Sequence, residues 1–228
     1  MIVTTFRRSL DLRVRPALAV ASVATAAVAT YMALAWAPPD ANQGDVQRIM
    51  YVHVPSAWLA YLAFVVVFVA SVGWLWSRRP AWDAVAVSSA EIGVLFTGLA
   101  LVSGSIWARP TWGVWWTWEP RLLTTAVMFV MYVGYLVLRS LSTDFDRRAT
   151  RAAVLGIVAV VNVPIVHLSV TWMNALHQLP SVLRPGAGPA IDDRMLATLL
   201  VGVLAFTLIY AVFLLERVRL ERARGMAA

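Results

Sequence analysis

Six long apolar runs, separated by short polar segments, limit what this chain can fold into. They extend from Pro16 to Ala37, Met50 to Trp76, Ala84 to Trp107, Leu122 to Leu138, Ala152 to Trp172 and Met195 to Leu215. Several exceed the roughly 20 apolar residues that cross a bilayer as a helix. Open sheet edges cannot sit in hydrocarbon, because their backbone groups would lack partners. The expected fold is therefore all-α: a polytopic integral membrane protein whose six transmembrane helices form one domain over residues 1–228. Composition agrees, since 61% of residues are hydrophobic and 14% charged, against about 25% charged in soluble domains. The first run is longer than the roughly 7–15 residues of a signal-peptide core, so it is read as a retained helix although Ala35-Trp-Ala37 resembles a cleavage site.

The net charge of +7 reads as orientation rather than nucleic-acid binding. All 19 basic residues are arginine. Five of them, Arg48, Arg109, Arg121, Arg184 and Arg194, fall in segments on one side, and the others share the side of the termini. Basic residues concentrate in cytoplasmic loops, so both termini are expected in the cytoplasm and segments 38–50, 108–121 and 173–194 on the outer face. Without lysine the chain has no Walker A loop. Without cysteine it has no disulfide, thiolate metal site or covalent haem-attachment motif.

The outer face carries the chemistry. Trp112-Gly-Val-Trp115-Trp116-Thr-Trp118-Glu119-Pro-Arg121 places four indoles within seven residues, with Arg109 just upstream. An interfacial aromatic belt accounts for Trp36, Trp58, Trp74, Trp76, Trp82 and Trp172, but poorly for this cluster, which suits a flat apolar ligand. Two of the three histidines, His53 and His177, map to the same face. Paired imidazoles suit axial ligation of haem iron, indole faces stack on a macrocycle, and Arg109 and Arg121 suit its propionates. Singly, each histidine reads more readily as a hydrogen-bonded surface residue; their placement beside the tryptophan segment favours ligation. His167 lies deeper and reads as a packing or hydrogen-bonding residue.

Two acidic residues carry open alternatives. Glu91, inside the third run, is costly there and hence a functional candidate, unless a neighbouring hydroxyl satisfies it. Glu119 and Arg121 flank Pro120, either orienting the loop or forming an exposed ion pair. Ser88, Ser89, Gly93, Gly98, Ser103 and Gly104 read as close-packing positions.

The tryptophan segment resembles the WWD signature, W-G-x-W-W-x-W-D, of haem-handling membrane proteins. Tyr51-Val-His53-Val-Pro55-Ser-Ala-Trp58 and Trp172-Met-Asn174-Ala-Leu-His177-Gln178 resemble the histidine segments of one branch, the cytochrome c maturation protein C (CcmC, haem exporter protein C) family. The resemblance covers the second to the sixth run. It implies a non-enzymatic protein of the bacterial inner membrane that binds haem b on the periplasmic side. His53 and His177 would be the axial ligands, and Trp112, Trp115, Trp116 and Trp118 the platform. The haem would pass to a periplasmic chaperone, cytochrome c maturation protein E (CcmE). The implied assembly includes the ATP-binding cassette subunits CcmA and CcmB and the small membrane protein CcmD. Glu119 replaces the signature aspartate, keeping the carboxylate but extending it by a methylene. Two other classes remain open: a b-type membrane redox subunit, whose ligands belong deep in facing helices, and a permease subunit, which needs a polar path across the bilayer.

Overall fold

The computed structural model describes residues 2–173, 175–179, 181–182, 184 and 186–227, with backbone only for 2–13 and 225–227. Seven α-helices account for most of it: α1 Ile2–Tyr31, α2 Met50–Ser77, α3 Pro80–Trp112, α4 Pro120–Ser140, α5 Phe145–Ala159, α6 Asn162–Trp172 and α7 Asp193–Ala227. Six segments are long and apolar enough to cross a membrane, α5 and α6 counting as one. The chain is thus a six-span helical membrane protein, as the sequence predicts.

Helix α2 is central, packing against α3, α5 and α7, while α1 docks on α7. Helices in lipid associate by close packing, which favours small residues at the contacts. The core joins Ala60, Phe64 and Val67 to Ala90, Met128, Tyr132, Tyr135, Ala152, Ala159 and Val166. Phe64 stacks on Tyr132 at 3.5 Å between ring centroids. Gly93 permits this, because a Cβ there would fall 2.5 Å from Phe64 Cε1. Ser89 Oγ donates to the Ala63 carbonyl at 2.7 Å and lies 2.7 Å from Tyr210 Oη, joining α2, α3 and α7.

Several boundaries differ from those expected. Helix α3 continues beyond Trp107 to Trp112 despite Pro110. It ends at Gly113, whose φ of +79° is left-handed, with the Gly113 amide donating to the Arg109 carbonyl at 3.1 Å. Arg109 and Trp112 are therefore helical, and the outer loop expected over 108–121 shrinks to 113–119. The charged segment expected as a loop over 139–151 is largely helical. α5 starts at Phe145, capped by Asp144, which accepts the Arg147 amide at 2.8 Å.

The fifth span breaks at Val160-Val161. Pro164 cannot donate to the Val160 carbonyl, and its ring crowds that group; the Val163 amide bonds it instead at 2.9 Å. Asn162 Nδ2 then donates to the Thr124 carbonyl of α4 at 2.8 Å. The last helix extends well past the expected Leu215.

Several charged groups at the end holding the termini are mutually paired. Arg139 forms a two-pronged bond to Asp83, at 2.6 and 2.7 Å, and both are buried. Arg217 Nε donates to Glu91 Oε2 at 2.6 Å. Glu91 is thus satisfied by an arginine from α7, not by the neighbouring hydroxyl considered from the sequence. Glu91 and Asn162, two polar groups within the spans, are thus both partnered structurally.

Removing one member of a buried ion pair leaves an uncompensated charge and costs about 3–5 kcal/mol, whereas an apolar pair of similar volume is near neutral. Asp83→Asn should therefore lower the melting temperature in detergent markedly, and Asp83→Leu combined with Arg139→Met should recover most of the loss.

Candidate functional site

The candidate site forms where three segments connecting the spans meet the ends of α2, α3 and α4. The first, residues 38–49, is shaped by Asp40, whose Oδ1 accepts the Asn42 and Gln43 amides at 2.9 and 2.8 Å. A 3₁₀ turn, Asp45–Ile49, leads into α2. Arg48 reaches back to the Ala33 carbonyl and, at 3.2 Å, to that of Ala37. These carbonyls belong to the π-helical turn Met32–Trp36 and its cap, where regular bonding ends.

His53 follows near the start of α2, two residues before Pro55, which lies inside the helix and cannot donate to the Tyr51 carbonyl. Its Nδ1 lies 3.2 Å from Ser103 Oγ. Trp107 stands edge-on to the ring, centroids 5.7 Å apart and planes at 76°. Gln43 fixes that indole, accepting from Trp107 Nε1 at 2.8 Å.

His177 is held in a parallel way. Trp112 stands edge-on to it at 5.1 Å and 74°. Glu119 Oε1 lies 2.9 Å from His177 Nδ1, close but without the alignment of a hydrogen bond. Glu119 is 6% exposed and caps α4, accepting the Leu122 amide at 2.7 Å. The exposed Glu119–Arg121 ion pair considered from the sequence does not form. The carboxylate turns inward to His177, and Arg121 donates through Nη2 to the His167 carbonyl at 3.0 Å.

Burial lowers the pKa of His177 below the ordinary 6.5; Glu119 opposes the shift and Arg121 adds to it. The ring is then neutral at pH 7, the form that ligates metal. His177 and Arg121 both lie within electrostatic range of His53. Each histidine has Nδ1 against an α3 or α4 residue, and among the described residues no bond involves either Nε2.

The platform residues divide. Trp112 and Trp116 are half-buried, while Trp115 and Trp118 are 58% and 79% exposed. Trp116 and Trp118 meet edge to face at 5.8 Å. Arg109 is exposed and bonds the Gly113 carbonyl, closing the end of α3. Arg121 instead keeps a buried Nε without a partner, and Glu119 Oε2 and Thr117 Oγ1 are orphaned beside it in sequence. Buried polar atoms without partners are rare in native proteins, and an unseen ligand is one explanation.

His167, expected to pack or hydrogen-bond inside the fifth span, is exposed, with its ring edge-on to Tyr61 at 6.3 Å. Asn174 of the second histidine segment lies outside the described residues. Gln43 and Ser103 carry contacts that local sequence does not signal. Clefts of about 250 and 290 Å³ lie at the other end, against α7. Among the described residues no cluster of three or more His, Cys, Asp or Glu offers a bare metal a site. Two imidazoles alone would suit a ligand that brings further donors of its own.

The chain matches the family described as "Heme exporter protein C" over residues 3–227. It is 43% identical to the "Heme exporter protein C" of Bradyrhizobium diazoefficiens over 216 residues, 95% of this chain and 81% of the relative. The protein of that name from Haemophilus influenzae is 40% identical over 189 residues, 82% of this chain and 76% of the relative. That from Escherichia coli (strain K12) is 38% identical over 205 residues, 90% and 82% respectively. A family match over nearly the whole chain, with relatives covered over most of their length, makes this six-span protein a member of the haem exporter protein C family.

Proposed function

We propose that this protein binds haem b at the outer face of the bacterial inner membrane and passes it to a periplasmic haem chaperone, CcmE, during cytochrome c maturation. Haem is its cargo. The carrying observation is that His53 and His177 come from distant segments, each with an indole against its ring and its Nδ1 held by a neighbour. That leaves two Nε2 atoms for the iron, whose remaining positions the porphyrin fills. The donor set fits haem in a further respect: the orphaned Arg121 Nε offers a buried donor for a propionate, which guanidinium binds in a fork. Arg109 is exposed and engaged by Gly113, so it serves the loop's shape more than the cargo.

The work of the chain is binding and orientation. Glu119 steadies His177 and raises its strength as a donor, as carboxylates behind metal-bound imidazoles do. Trp112 and Trp116 give the macrocycle an apolar floor. The exposed Trp115 and Trp118 offer the chaperone a contact beside it, since indoles anchor interfaces. The protein catalyses no step of its own beyond presenting haem for attachment. Its assembly with CcmA, CcmB and CcmD follows from the same family reading. The arginine distribution supports a periplasmic site.

Pyridine haemochrome quantitation on detergent-purified protein tests this. Wild type should carry haem with a low-spin b-type spectrum. His53→Ala and His177→Ala should each lower haem occupancy at least about tenfold, the lower end of what losing even a ligand's outer partner costs. Colourless wild type from haem-replete cells would sink the proposal. Haem that survived both substitutions and vanished in His167→Ala would point to a redox subunit instead.

Glu119→Gln keeps the shape of the residue and removes its charge. Haem affinity should fall by about 10–100-fold while the melting temperature of the haem-free protein changes little, because the amide oxygen still caps α4. Equilibrium haem titration alongside thermal melts reads the two effects separately.

A further inference from the structure

Ser103 and Gly104 sit at the start of α3's outer third, where their residue types suggest only close packing. Their placement is more specific. The Ser103 hydroxyl has one proton, and it goes to the Leu99 carbonyl at 2.7 Å, with the Ala100 carbonyl at 3.3 Å as a weaker alternative. A serine whose proton is committed can only accept through its remaining lone pairs. The group 3.2 Å away is His53 Nδ1. A bond there requires the proton on Nδ1, and the neutral ring then leaves Nε2 bare.

Gly104 supplies the space. A Cβ at this position would lie 2.9 Å from His53 Cε1 and 3.3 Å from Nδ1. The obstacle would be the imidazole itself, on the stem of a helix that has little room to move. Trp107 closes the other side, edge-on at 5.7 Å. Residues 103, 104 and 107 thus give the ring an acceptor, a gap and a wall. Two of these lie a helical turn apart, on one face of α3.

We propose that Ser103 is a positioning residue for His53, fixing the Nδ1-protonated tautomer and the ring's direction so that Nε2 meets the haem iron, and that Gly104 is glycine to admit the ring. The proposal rests on the haem-binding function argued above and extends it to residues that touch no cargo. The two imidazoles are then held differently, His53 by a neutral hydroxyl and His177 by a buried carboxylate.

The test uses the full-length protein in detergent with haem supplied, and reads three quantities: haem affinity by titration, the ferric low-spin fraction by electron paramagnetic resonance, and the melting temperature without haem. Ser103→Ala should weaken haem binding by about 10–100-fold, the usual cost of losing a metal ligand's outer partner, and lower the low-spin fraction, with the melt unchanged. Ser103→Thr, which keeps the oxygen, should restore both. Gly104→Ala should lose affinity without losing the melt, because alanine is the better helix former. The proposal is overturned if Ser103→Ala and Gly104→Ala match wild type in affinity and spin state while His53→Ala loses haem. If His53→Ala itself keeps wild-type haem, the bis-histidine reading falls, and the proposal with it.

Discussion

The demand that a backbone inside hydrocarbon find all its partners within the protein shapes this molecule more than any single contact. Where the helices are regular they meet it themselves. Where they are not, a side chain steps in. Arg48 takes the carbonyls freed at the π-helical end of α1. Asn162 bonds across to α4 where Pro164 breaks the fifth span. Arg109 and the left-handed Gly113 close α3. Three of the polar residues that look unusual in so apolar a chain are thus explained by backbone accounting before any function is invoked.

What remains after that accounting is unevenly distributed. At the end holding the termini, Asp83 meets Arg139 and Glu91 meets Arg217, so charge there is spent on holding helices together. At the tryptophan end, Glu119 and Arg121 are each bonded once and keep a further buried atom unpaired. His177, whose pKa burial lowers, and His53 both lie in this region. Unpartnered buried atoms occur towards both ends, Arg148 Nε among them, but at the tryptophan end they gather on Thr117, Glu119, Arg121 and His177.

The spans, and the gathering of His53, His177 and the tryptophans at one end, were legible because both follow from runs and spacing. Local sequence could not show that Trp112 ends a helix rather than beginning a loop, because the decision rests on Gly113 and on where the Arg109 side chain lands. Nor could it show Glu119 buried: a carboxylate beside proline and arginine looks like surface until residue 177 arrives. Glu91 looked functional because its partner, Arg217, is on the last helix. Ser103 looked like packing because residue 53 is far from it in the chain. In each case the missing term was the register between helices, which hydrophobic runs do not encode.

The two histidines are braced by different helices. His53 is seated on α2 and braced by α3, which Gly93 and Ser89 lock together. His177 is tethered through Glu119 to the start of α4, and α4 is laced to α6 by Arg121 and Asn162. Deeper in the bundle the core joins these helices, Phe64 of α2 stacking on Tyr132 of α4, while at this end residues 113–119 connect α3 to α4. On the proposed function, a planar molecule gripped by both imidazoles would be a crossbrace over this seam. Its arrival would stiffen the tryptophan end and its departure slacken it, so an empty carrier and a loaded one would differ in compliance there even where their helices superimpose.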